Sequence, residues 1–265
     1  MIRLLTVDAF TDRPFGGNPA AICVLETEAS AAWMQSVAAE MNLSETAFVR
    51  PQADGFSLRW FTPTVEVDLC GHATLATAHA LWSERIAPDS EIRFHTKCGV
   101  LTCQRTGGLI EMNFPASATT RVDPPPHLLE SLGITSAFEV RQTQFDHLVA
   151  FESEQTVRDL SPDYALMKTF PTRGVIVTAP SDDPRYDMVS RFFAPAVGVN
   201  EDPVCGSAHC ALAPYWGTRL GKTSLVALQA SARVGVLHLR ISGNRVILAG
   251  NAVTVWRGEL LAKPE

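Results

Sequence analysis

Apolar and polar positions along the chain alternate in short runs broken by turn residues, which predicts many strands and few helices. Leu4–Ala9 is apolar enough for an opening strand, and Ala20–Leu25 reads as the next. Between them, Pro14-Phe-Gly-Gly-Asn-Pro19 is punctuated as a loop. Trp33, Met34, Val37 and Met41 recur at helical spacing and predict an amphipathic helix over 31–41. Asn42-Leu-Ser-Glu-Thr46 breaks it, ahead of strands at 47–50 and 56–61. Ile92 to Phe114 supplies hairpins around Gly107-Gly108. Further strands are predicted at 142–151, 174–179, 187–193, 226–232, 236–241 and 246–255, with Gly243-Asn244 as a hairpin turn.

Two segments depart from this pattern. His72–Trp82 and Ser207–Trp216 are alanine-rich and apolar on nearly every face. A helix that is apolar all round is a buried one, so strands must curl about it. Pro214 lacks an N–H and is expected to end or bend the second helix early.

Each helix closes a repeated unit. Arg59-Trp-Phe-Thr-Pro63 leads through an acidic run to Cys70-Gly-His-Ala73, and Arg191-Phe-Phe-Ala-Pro195 leads likewise to Cys205-Gly-Ser-Ala208. A unit present twice predicts two similar domains. The expected fold is α+β, with two pseudo-symmetric domains, each a β barrel or curled sheet around a central apolar helix. The boundaries are drawn at 1–117 and 118–265, a split compatible with the last strand returning to the first domain. Asp123-Pro-Pro-Pro126 is the best linker sequence.

Composition narrows the function. A length of 265 residues with 46% hydrophobic side chains suits two cores. A net charge of −6 argues against nucleic acid, and no apolar run reaches membrane-spanning length. Six cysteines are too few for a disulfide scaffold, and the opening residues lack a signal-peptide pattern, which together point to free thiols in the cytoplasm.

The candidate chemistry gathers at the repeated motif. A helix start offers unpaired N–H groups that attract a carboxylate and favour a thiolate. If both helices begin at one cleft, Cys70 and Cys205 flank an anion site, where a carboxylate-bearing substrate could lose a proton to one side and gain one from the other. Packing is an equal reading for these two cysteines, and it is the preferred one for Cys23, Cys98, Cys103 and Cys210. Glu45, flanked by Leu43, Ala47 and Phe48, is a candidate acid/base, although a solvated loop glutamate is the commoner outcome. His72 can exchange a proton, and Asp68 and Asp202 precede the two motifs. No paired zinc spacing, phosphate loop or dinucleotide fingerprint occurs, so no metal or other cofactor is expected.

These residues resemble the PhzF-like family of phenazine biosynthesis, related to the diaminopimelate epimerase fold. The matching segments are Pro14–Ala20, Glu40–Phe48, Arg59–Pro63, Cys70–Ala76, Glu201–Ala208 and Gln229–Ser231, in order along nearly the whole chain. The resemblance implies a dimeric, cofactor-independent isomerase of the trans-2,3-dihydro-3-hydroxyanthranilate type. It implies Glu45 as proton shuttle, with His72, Asp202, Gly206, Ser207 and Asn18 around the substrate and the start of the first helix at Gly71 as part of the carboxylate cradle. The cysteine pair departs from the phenazine enzymes and matches the related epimerases. A two-cysteine racemase or epimerase is therefore the first alternative, and a non-catalytic protein that binds small acids is the second.

Overall fold

The computed structural model describes residues 2–264. The chain divides into two compact units, Met1–Asn113 with Ala249–Glu265, and Phe114–Leu248.

In the first unit, β1 (Ile2–Ala9) pairs antiparallel with β2 (Asn18–Val24). The intervening loop depends on Gly17, whose φ is +58°; a Cβ there would meet the Ala9 carbonyl oxygen at 2.0 Å. The buried Asp8 carboxylate accepts the Phe15 N–H at 2.7 Å and holds the loop's other side. Helix α1 (Ala31–Met41) begins at Ser30, whose hydroxyl caps the Trp33 N–H. It ends at Asn42 in left-handed geometry. Met34, Val37 and Ala38 pack on Ala21, Cys23, Phe48 and Phe61 from one face of the sheet.

That sheet continues through β3 (Glu45–Gln52), parallel to β2, and β4 (Gly55–Phe61), antiparallel to β3. The two-residue β5 (Glu66–Val67) leads to α2 (Gly71–Ser83). Ten of the thirteen α2 residues are buried, as its all-round apolar sequence requires, and β1, β2 and β3 lie against it. Next, β6 (Ile92–Thr96) runs parallel to β4 and starts the hairpins with β7 (Gly99–Thr106) and β8 (Leu109–Pro115). The last strand of the chain, Ala252–Leu260, pairs antiparallel with β1.

The second unit repeats the scheme. After β9 (Thr120–Arg121) and the short α3 (Leu128–Ser131) come β10 (Glu139–Gln142) and its antiparallel partner β11 (Asp146–Ala150). Two further short helices, α4 (Glu154–Asp159) and α5 (Tyr164–Met167), stand where α1 stands in the first unit. Then β12 (Gly174–Pro180) runs parallel to β11, and β13 (Met188–Phe193) antiparallel to β12. Helix α6 (Gly206–Leu220) packs against β14 (Ser224–Gln229) and β15 (Gly235–Ser242). The chain ends with β16 (Arg245–Gly250) and the strand Ala252–Leu260, now β17. The order of parallel and antiparallel pairings is the same in both units, each with one buried helix against a curled sheet.

Four expectations need correction. The strand expected over 142–151 is two strands, because Thr143 Oγ1 accepts the Phe145 and Asp146 N–H groups and turns the chain between β10 and β11. The strand expected over 246–255 divides at Asn251, whose carbonyl accepts the Phe10 and Thr11 N–H groups. Residues 123–126 do not join the units; they lie within the second. Finally, α6 continues past Pro214 to Leu220. A proline at 214 deprives the Cys210 carbonyl of its helical donor, and the Ser117 N–H takes that place at 2.9 Å.

Candidate active site

In the first unit the residues singled out from sequence converge where β2, β3 and α2 begin. Glu45 is the first residue of β3, Asn18 the first of β2, and His72 the second of α2, with Cys70 just before the helix. The Glu45 carboxylate (Oε2) lies 3.2 Å from His72 Nε2. His72 Nδ1 lies 3.1 Å from the Asn18 amide nitrogen and 3.5 Å from Cys70 Sγ. Ser44 Oγ donates to Asn18 Oδ1 at 3.4 Å.

These contacts have a direction. With Ser44 donating to its oxygen, Asn18 presents an N–H to His72 Nδ1. Nδ1 is then an acceptor and the proton sits on Nε2, which lies 3.2 Å from the Glu45 carboxylate but is not aligned for a hydrogen bond to it. Burial supports a neutral ring: it holds the His72 pKa down to about 3. The imidazole is thus a neutral neighbour of Glu45, with its Nε2 facing the carboxylate. Glu45 keeps 18% of its side chain exposed, enough to meet a small molecule.

Glu45, Cys70 and His72 also bring three ligand types within 4.8 Å of one another, a donor set that could hold a metal ion. In the tautomer fixed by Asn18, however, the only free lone pair of the ring is on Nδ1. Asn18 and Cys70 already approach it, so a cation would have to displace them.

In the second unit, Cys205 precedes α6, and Gly206 and Ser207 open it. Gln229 pins this start from both sides: Oε1 accepts the Cys205 N–H at 2.9 Å and Nε2 donates to the Asp202 carbonyl at 2.7 Å. Ser231 Oγ donates to the Pro203 carbonyl. The Gln-Ala-Ser segment noted in the sequence is therefore a clamp on the motif. Asp202 contributes its backbone to this clamp, and its charge acts on Arg173 and Cys205. Asp68, by contrast, is exposed.

Sequence reading missed Arg173 and Asp146. The two form a bidentate pair, with Arg173 Nε 2.8 Å from Asp146 Oδ1 and Nη2 on Oδ2. Nη2 also donates to Ser207 Oγ at 3.0 Å, while the guanidinium lies over the rings of Phe145 and Phe192. Arginine and aspartate 27 positions apart leave no local signal; only the β11–β12 register brings them together.

The expectation of a depressed thiol does not hold at Cys205. Burial, reinforced by the Asp202 charge, drives its pKa up and outweighs Arg173, Ser207 and the Ala208 N–H. Among the cysteines expected to pack, Cys23 and Cys210 are buried and pushed up to about 12, and Cys103 is buried with its pKa also raised. Cys98 is exposed instead. His209 is a packed core histidine: its ring lies 2.7 Å from the Cys205 carbonyl and 3.4 Å from Ser190 Oγ, and burial lowers its pKa to about 4.

The same repeated fold, with one buried helix against each curled sheet, is found in solved structures of far lower identity. A hydroxyproline epimerase from Agrobacterium vitis shares the fold at a TM-score of 0.60 with 11% identity, covering 97% of this chain and 91% of its own. The chain belongs to the PhzC-PhzF family of phenazine biosynthesis-like proteins, whose family model matches residues 7–258. An uncharacterized isomerase of Halalkalibacterium halodurans is 52% identical over 97% of this chain and 98% of its own length. The crystal structure of a PhzF family protein from Enterococcus faecalis superposes with a TM-score of 0.94 at 41% identity, covering 98% of this chain and 99% of that one.

Proposed function

We propose that this protein is an isomerase of the trans-2,3-dihydro-3-hydroxyanthranilate type, moving a proton on a small carboxylate-bearing substrate with side chains alone. The observation that carries this reading is the 3.2 Å approach of the neutral, buried His72 to Glu45. In the proposed reaction the Glu45 carboxylate takes a proton from an acidic C–H of the substrate, becoming a carboxylic acid. It then returns that proton to a different carbon of the delocalised anion. We assign His72 to orient the shuttle, since a small rotation of the ring would bring Nε2–H onto the carboxylate. Asn18 fixes His72. In the second unit we assign carboxylate binding to Gly206 and Ser207, with Asp202 shaping the approach; Gly71 offers the equivalent helix start in the first. Relatives named as isomerases support this reading. Cytoplasmic location and a homodimer belong to the same proposal.

The two-cysteine racemase is the weaker reading, because a thiol base must ionise near neutrality and burial works against this at Cys205. Deuterium incorporation followed by NMR separates the readings. The protein is incubated in heavy water with dihydro-hydroxyanthranilate, proline, hydroxyprolines and other amino acids. We expect exchange into dihydro-hydroxyanthranilate, unchanged after dialysis against a chelator, and lost by about 10²–10⁴-fold in Glu45→Gln. Exchange into an amino acid that survives Glu45→Gln and vanishes in Cys70→Ser would establish the racemase instead. Binding of these acids without any exchange would point to the non-catalytic alternative.

A further inference from the structure

The cysteines at 70 and 205 remain without a part in this mechanism, yet they occupy equivalent places in the two units. Each stands two residues before a polar side chain and touches it. Cys70 Sγ is 3.5 Å from His72 Nδ1, and Cys205 Sγ is 3.2 Å from Ser207 Oγ. Each of those polar side chains also meets an N–H donor from another strand start or turn: Asn18 Nδ2 at 3.1 Å for His72, and Arg173 Nη2 at 3.0 Å for Ser207.

We propose that Cys70 and Cys205 are positioning residues: as S–H donors they join Asn18 and Arg173 in filling the acceptor sites of His72 and Ser207, which leaves each of these able only to donate outward, through Nε2–H and Oγ–H. The argument is a count of lone pairs. A neutral imidazole has one acceptor nitrogen, and at Nδ1 the Asn18 amide N–H and the Cys70 thiol are both placed to donate. A hydroxyl has two lone pairs and one hydrogen. Arg173, which has no acceptor to offer, takes one lone pair of Ser207, and in the proposed arrangement the Cys205 S–H, 3.2 Å away, takes the other. The remaining O–H of this exposed serine is then directed at a substrate oxygen. Burial keeps Cys205 in the protonated form that the role requires. Arg173 is itself held rigid by Asp146 and by Phe145 and Phe192. Such an arrangement suits an anionic oxygen, which accepts hydrogen bonds only, and it repels a substrate presenting a donor at the same point.

The inference rests on the assignment of His72 and Ser207 above, and its test needs no substrate, so the two fail separately. Protein labelled with ¹⁵N-histidine is examined by long-range ¹H–¹⁵N correlation, with His72 assigned by its loss in His72→Gln. We expect unprotonated Nδ1 and protonated Nε2 at neutral pH, unchanged in Cys70→Ser, which keeps a donor. Asn18→Asp should exchange the two, because a carboxylate calls for a proton on Nδ1; a matching circular-dichroism spectrum establishes that this variant is folded. A wild-type ring protonated on Nδ1, or an imidazolium, would overturn the first half. For the second half, infrared difference spectra against Cys205→Ala isolate the Cys205 S–H stretch. It should lie at the lowered frequency of a bonded thiol and rise in Ser207→Ala. A band that does not move, or its absence because the thiol is ionised, would overturn it.

Discussion

Set strand by strand against the second unit, the first differs least in its scaffold and most at the proposed shuttle. Arg59 and Arg191 both stand in the strand before the cysteine motif. Each forks onto a glutamate: Arg59 onto Glu66 at 2.8 and 2.9 Å, Arg191 onto Glu201 at 2.8 and 2.9 Å. Each also lies over the phenylalanine two residues on, at 5.2 Å from Phe61 and 4.8 Å from Phe193. The register then identifies the counterpart of the proposed shuttle. Thr46 pairs with Phe61 and Val175 with Phe193, so Glu45 corresponds to Gly174 and Ser44 to Arg173. A Cβ at Gly174 would meet the Phe192 ring at 2.5 Å, so no carboxylate fits there. One unit therefore carries an acid/base at this point, and the other a cation one residue earlier. The two units thus share a scaffold and differ in the ionisable groups they place at this point.

The most damaging way to break this comparison is at the shared fork. Arg191→Met should destabilise more than Arg59→Met. Arg191 is only 11% exposed and also donates to the Leu160 carbonyl at 2.7 Å, whereas Glu66 keeps Lys97 at 2.6 Å when Arg59 is removed. A loss of about 3 kcal/mol is expected at 191, the scale of stranding a largely buried carboxylate, and about 1 kcal/mol at 59. Urea unfolding with unchanged slope measures both; equal losses would mean that the two forks share geometry but not weight.

A smaller effect sharpens the asymmetry at the shuttle position. Gly174→Ala forces its methyl against Phe192 and should cost about 1–3 kcal/mol. If it were neutral in thermal unfolding, the ring would be free to yield and position 174 would not be closed to larger side chains.

Below this comes a dependence on pH. His209 in the second unit and His72 in the first are both buried neutral, at about 4 and about 3 against an ordinary 6.5. The unfolded chain binds protons that the fold refuses. Stability is thus complete above pH 6.5 and falls as the pH drops towards 4, by at most about 1.4 kcal/mol per pH unit for each histidine. Glu66 acts lower: its pKa is held down to about 2 by Arg59 and Lys97, so its contribution fades only as pH falls from about 4.5. His209→Gln should flatten the slope between pH 6.5 and 4.5 in urea titrations, and an unchanged slope would refute the assignment.

Much of this was legible in the sequence because it was local or repeated. Helix α1 matches its apolar spacing residue for residue, and the two buried helices show in their lack of any charged face. Glu45, His72 and Asn18 converge, as the family resemblance implied, with Cys70 beside them. What stayed hidden depends on register. Arg173 meets Asp146 only because β11 and β12 run parallel, and the short helices α4 and α5 lack enough turns to show a period. The sequence leaves Cys205 open between a thiolate and a packed thiol, because a helix start, which can be seen in sequence, competes with burial, which cannot.

Pro214 gives the smallest expected effect and a clean test of how one unit departs from a local rule. A proline inside a helix ordinarily costs about 3 kcal/mol, partly through the hydrogen bond it removes and partly through its ring. In α6 the bond is already replaced, since the Cys210 carbonyl accepts the Ser117 N–H at 2.9 Å. An alanine at 214 restores a donor to a carbonyl that has a partner, and it relaxes whatever backbone adjustment the ring imposes. Pro214→Ala should therefore change stability by no more than about 0.5 kcal/mol in either direction. A gain of 2 kcal/mol or more, on the scale of the general penalty, would mean that the Ser117 bond does not compensate and that α6 tolerates Pro214 only under strain.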